Sequence, residues 1–107
     1  MKKYEIVKEH KSFDEIINTG KYKKGSFFVI YNKDNNLNIP RFGIAVSKKS
    51  GHAVIRNKLK RVTRMILTTN KNMFKKGFDY IIIVKSNAIN MSYEALEKDI
   101  LNIIKGD

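Results

Sequence analysis

The sequence predicts an α+β sandwich in which one mixed β-sheet is covered by about three helices, and three observations lead there. Apolar residues recur with a helical period in three separate segments, and runs of β-branched and aromatic residues lie between them. A chain of 107 residues builds one core but not two ordinary domains, so residues 1–107 are read as a single domain.

The elements follow in order. Ser12-Phe13-Asp14-Glu15 has the form of a capping box and predicts the start of a short helix, with Phe13, Ile16 and Ile17 on one face and Gly20 as a left-handed stop. An extra strand is possible over residues 22–25. Residues 27–31 form a strand of aromatic and β-branched residues, closed by turn-forming residues 32–38. The next strand, residues 41–47, is expected to pair with it as a hairpin. There Phe42, Ile44 and Val46 alternate with Gly43, Ala45 and Ser47, which gives a core face and a face open to close packing.

Residues 53 to about 67 are helical, with Ile55, Leu59, Val62 and Ile66 as the apolar stripe. Residues 80–84 are uniformly apolar, as in a strand covered on both faces. A last helix, capped by Ser92, buries Tyr93, Leu96, Ile100, Ile103 and Ile104.

Charge narrows the function. Lys and Arg number 22 against 10 Asp and Glu, a net charge of +12, and half of the basic residues lie between Asp34 and Asp79, where there is no acid. A polyanion relieves such self-repulsion, which makes nucleic acid the leading partner and an anionic membrane surface the next. No cysteine is present, which excludes disulfides and thiolate metal sites and fits a cytoplasmic location. The longest apolar runs are far short of the ~20 residues that span a bilayer, so no membrane partner is expected.

On a helical wheel Arg56, Asn57, Lys60, Arg61 and Arg64 spread opposite the apolar stripe, with Lys58 at the boundary. Ordinary solvated helix faces mix signs and pair i with i+4, whereas this one has no acid to pair with. Arginine forks suit phosphates and bases, lysine adds a mobile point charge, and Asn57 can meet a 2′-hydroxyl or a base edge.

Two blocks then carry a resemblance. Residues 43–51, Gly-Ile-Ala-Val-Ser-Lys-Lys-Ser-Gly, and residues 53–61, Ala-Val-Ile-Arg-Asn-Lys-Leu-Lys-Arg, are similar to the Val-Ser-Lys-Lys strand and the Arg-Asn-Arg helix of the bacterial ribonuclease P protein family. Phe13 with Gly20, residues 27–31, 79–82 and 92–94 fall in that family's order, so the resemblance spans nearly the whole chain.

The resemblance implies a fold like the second domain of ribosomal protein S5, with the basic helix in a left-handed βαβ crossover where physics alone favours the right-handed form. It implies that Lys48, Lys49, Arg56, Asn57, Lys58, Lys60, Arg61 and Arg64 contact the catalytic RNA subunit. Phe13, Ile17 and Tyr31 would line a cleft for the single-stranded 5′ leader of precursor tRNA, where an aromatic face stacks on any base. Read from the residues alone, Phe13 and Tyr31 are aromatics on amphipathic elements, which more often belong to a core than to a ligand platform. Three positions depart from the family pattern: Lys58 replaces the motif's second arginine, Ile17 a frequent aromatic, and His52 a frequent asparagine.

A protein nuclease needs clustered carboxylates for metal ions or a histidine pair for proton transfer, and the sequence offers neither, since His10 and His52 stand far apart. Catalytic and metal-ligating residues are therefore expected to be absent from the protein, with no cofactor of its own. The resemblance assigns the Mg²⁺ requirement and endonucleolytic tRNA 5′ maturation to the RNA subunit, and no obligate protein partner is expected. A purely structural RNA-binding protein, such as a ribosomal protein, would share both charge and fold type.

Overall fold

The computed structural model describes residues 10–47, 49 and 51–105, those of 10–14 by backbone only. Helix α1 spans His10–Thr19, and strands β1 (Lys21–Lys24), β2 (Phe28–Asp34) and β3 (Arg41–Val46) follow. Helix α2 spans Ala53–Thr69, strand β4 Phe78–Val84 and helix α3 Tyr93–Lys105. Short 3₁₀ turns at Lys71–Met73 and Ser86–Ala88 lead into and out of β4.

The sheet order is β1-β2-β4-β3, with β1–β2 and β2–β4 antiparallel and β3–β4 parallel. This overturns the hairpin expected between β2 and β3. Strand β4, uniformly apolar over residues 80–84, takes a central position, where both its faces and both its edges are covered, and the turn after Asp34 delivers β3 to its far side. Arg41 and Asp79 are register partners across the parallel pair, and the guanidinium grips the carboxylate with two bonds of 2.7 and 2.6 Å. Asn35 Nδ2 donates a third, at 2.8 Å, to this buried aspartate. Arg41 is therefore committed internally and leaves the set of cations offered to a polyanion.

Side-chain alternation divides the helices between the two sheet faces. On one, Phe28, Ile30, Phe42, Tyr80, Ile82 and Val84 meet Leu59, Ile66 and Leu67 of α2 and Leu96, Ile100 and Ile103 of α3. On the other, Ile16 of α1 packs on Ile81, flanked by Tyr31 and Ile83. Each large aliphatic side chain so buried stabilises by about 1.5–3 kcal/mol relative to exposure.

Two local expectations are corrected. Helix α1 already includes His10, which puts Ser12 inside the helix rather than at its cap. Gly20 is not left-handed; a Cβ there would stand 2.6 Å from the Asn32 carbonyl oxygen, so glycine is needed for the close approach of the α1 terminus to β2. The β1–β2 connection is held from α3, where Asp99 accepts from the Ser26 and Phe27 amides at 2.8 and 2.9 Å. Lys85 Nζ and Asn87 Nδ2 donate to the Gly25 and Ser26 carbonyls of the same turn.

Candidate nucleic-acid interface

Helix α2 offers cations because its other side is fixed to the core. Leu59, Thr63, Ile66 and Leu67 are buried, and the Thr63 hydroxyl donates to the Leu59 carbonyl at 2.7 Å, which lets a polar residue sit in the apolar face at little cost. Counting Thr63 and Leu67 turns the buried face away from Ile55, which is 37% exposed, and toward Arg56. Arg56 is thus half-buried rather than opposite the core, and its Nε is a buried donor without an acceptor. Lys60, expected opposite the stripe, is half-buried at the boundary, and Lys58, expected at the boundary, is exposed, as are Asn57, Arg61 and Arg64.

Among the described residues, the ion pairs are Lys33 with Glu15 and Arg41 with Asp79, and neither involves α2. The five basic side chains of the helix therefore share one stretch of surface with no carboxylate bound to them. Arg61 and Arg64 also flank a shallow depression of about 260 Å³ completed by Met65, Thr68 and Thr69. An apolar floor between two guanidinium groups can receive a sugar or base edge while the forks engage phosphates.

At the head of α2, Lys49 is exposed and its amide donates to Ser47 Oγ at 3.3 Å. Lys48 lies outside the described residues. Gly51 has φ +110°, a conformation that favours glycine, and it turns the chain into the helix. His52 occupies the N-cap and makes no side-chain cap bond, so the hydrogen bond that an asparagine in this position offers to the first turn is not made.

A second surface lies between α1 and the sheet. Ile17 and Tyr31 are both half-buried there, and the Phe13 side chain lies outside the described residues. Tyr22 of β1, which sequence reasoning left out of the site, is 54% exposed, with its ring centroid 5.3 Å from that of Tyr31. Lys24 Nζ stands 5.7 Å from the Tyr22 ring centre. The β1–β2 register places Tyr22 opposite Tyr31, and the available signal was the lysine-tyrosine alternation around it. Together they make an aromatic ledge with a cation above it, suited to stacking of unpaired bases.

The described carboxylates are largely occupied elsewhere. Asp79 is held by Arg41 and Asn35, Asp99 by two backbone amides, Glu15 by Lys33 and Glu97 by Asn70 at 2.9 Å. No three metal-ligand side chains gather among the described residues, and His52 is exposed. No described helix is long and apolar enough to cross a membrane.

The chain is similar to known proteins over nearly its whole length. The family model described as Ribonuclease P matches residues 1–106. The ribonuclease P protein component of Mycoplasma mycoides subsp. mycoides is 42% identical over 106 residues, covering 98% of this chain and 97% of that protein. That of Bacillus cereus is 36% identical over 107 residues, covering 98% and 92%. The solved ribonuclease P protein from Thermotoga maritima superposes with a TM-score of 0.88 at 32% identity, covering 96% of this chain and 97% of that one.

Proposed function

Because the chain belongs to the ribonuclease P protein family, a subunit of the ribonucleoprotein enzyme for tRNA 5′ processing, we propose that α2 binds the catalytic RNA and that the α1–sheet cleft takes the 5′ leader of precursor tRNA. The observation that carries the reading is the set of five basic side chains on a core-anchored helix, none in an ion pair with a described acid. Packing through Leu59, Ile66 and Leu67 fixes the helix before RNA arrives, so little ordering entropy is lost on binding.

In this reading hydrolysis of the phosphodiester bond, leaving a 5′-phosphate on the mature tRNA, belongs to the RNA subunit and its Mg²⁺ ions. The protein's side chains bind and position. Lys58, Arg61 and Arg64 neutralise phosphates that would otherwise repel one another where substrate and catalytic RNA converge, which lowers the Mg²⁺ needed for the complex. Lys58, as a point charge in place of a planar fork, retains the attraction and gives up a bidentate contact. Tyr31 and Tyr22 stack on leader bases without regard to sequence.

The test is reconstitution. Added to the cognate catalytic RNA at low Mg²⁺, the protein is expected to raise the rate of leader removal, and the gain should be larger for precursor than for any effect on mature tRNA binding. No increase at any protein concentration overturns the proposal.

A further inference from the structure

A recess on the described surface lies past the end of α1. It has a volume of about 550 Å³, within the range of ligand-binding clefts, and is open to solvent. Thr19 and Gly20, the open end of the β1–β2 pair, Lys75, Phe78 and Tyr80 surround it. Four lysines line it, Lys21, Lys23, Lys33 and Lys75, against the single carboxylate of Asp34. Phe78 and Tyr80 give it an aromatic wall, and the Tyr80 hydroxyl is engaged by the Lys75 backbone at 3.1 and 3.4 Å, which fixes the loop that carries Lys75.

This recess borders the cleft already described, on the opposite face of the sheet and across the β1 edge. Tyr22 belongs to both, stacked on Tyr31 on the α1 side and forming part of the recess wall. Lys33 is also shared by both, but its ammonium is held on the α1 side by Glu15 at 2.7 Å, which leaves Lys21, Lys23 and Lys75 as the cations of the recess. The strand that separates the two, β1, is an edge strand bonded only to β2, so nothing among the described residues blocks a chain passing over it. We infer that the recess is a second leader subsite: single-stranded RNA leaving the aromatic ledge at Tyr22 turns over β1 and lays further phosphates against Lys21 and Lys75. An open site with one acid and these three cations suits a strand carrying one charge per nucleotide, whereas a compact polyphosphate would bring its charges close to Asp34.

The inference rests on the leader reading above, and the experiment separates the two. Binding to the reconstituted holoenzyme is measured for precursor tRNAs with a graded series of leader lengths, using wild-type protein and the Lys21→Ala/Lys75→Ala variant. Both side chains are exposed and neither is in an ion pair with a described acid, so the fold is expected to persist. Short leaders confined to the cleft should bind both proteins equally. Long leaders should bind the variant about 2- to 30-fold more weakly, the range for two exposed ion pairs, with a salt slope lower by about 1.4. A variant that keeps the full benefit of long leaders overturns the subsite. So does an equal loss at every length, which would assign the lysines to the catalytic RNA instead. If wild-type protein shows no leader dependence, the leader reading itself fails.

Discussion

Asp99 is the contact on which the placement of the β1–β2 hairpin and its aromatic ledge depends, because it ties the β1–β2 turn to α3 across more than seventy residues of sequence. Its two oxygens accept one amide each, from Ser26 and Phe27, and Gly25 lies so close that a Cβ there would stand 2.7 Å from both oxygens. Asp99→Ala removes two charge-assisted hydrogen bonds. Such bonds contribute about 1.5–3 kcal/mol each, but Ser26 is exposed and water recovers part of its loss, so the net cost is about 2–4 kcal/mol. Set against a total stability of about 5–15 kcal/mol for a domain, that is a large fraction. The expected fall in melting temperature is roughly 10–25 °C. Asp99→Asn keeps one acceptor and turns its NH₂ against the other amide, so it should lose about half as much. Urea titration followed by circular dichroism gives both differences. A change below about 1 kcal/mol for the alanine variant would refute the anchoring role.

Three other outcomes are expected. Arg56→Met removes a buried Nε donor that lacks an acceptor, which should stabilise the free protein by about 1 kcal/mol while lowering the salt slope of RNA binding by about 0.7–0.9; a destabilised variant in thermal melts would contradict it. His52→Asn supplies the missing cap and should raise stability by about 0.5–1 kcal/mol, seen as a higher urea midpoint at unchanged m-value. Burial raises the Tyr80 pKa above its ordinary value, with the hydrogen bond to the Lys75 backbone opposing it. The neutral phenol is thus favoured by folding, and its contribution is complete below pH about 10 and lost as pH rises through the folded value. Stability curves of wild type and Tyr80→Phe should converge above that pH, and curves that stay parallel would show that the phenol is not the titrating group.

Much of this fold is legible in the sequence where one period dominates. The runs behind β2 and β4, the stripe of α3 and the acid-free basic helix all appear at or near their expected positions. The strand order was not legible. Neighbours in sequence suggest a β2–β3 hairpin, but whether a turn returns a strand to its immediate neighbour or one place beyond depends on what else competes for that edge, and β4 has the more apolar claim. The phase of α2 slipped for a related reason. A wheel that scores Thr63 as polar sets the stripe too far toward Ile55, whereas a hydroxyl bonded to its own helix can be buried, and this rotates Arg56 inward. Tyr22 was missed because a four-residue strand of lysines and one tyrosine carries almost no apolar pattern; only its register opposite Tyr31 gives it a role.

The central place of β4 also governs how the protein comes into being at the ribosome. As the chain emerges, β2 can pair with β1, but β3 has no bonding partner until the strand that ends at Val84 has been made. Until then the cations of α2 belong to a segment whose β3 has no sheet to join. Completion of β4 therefore converts indiscriminate attraction for any nearby phosphate into a shaped surface, and that conversion comes with about four-fifths of the sequence already translated.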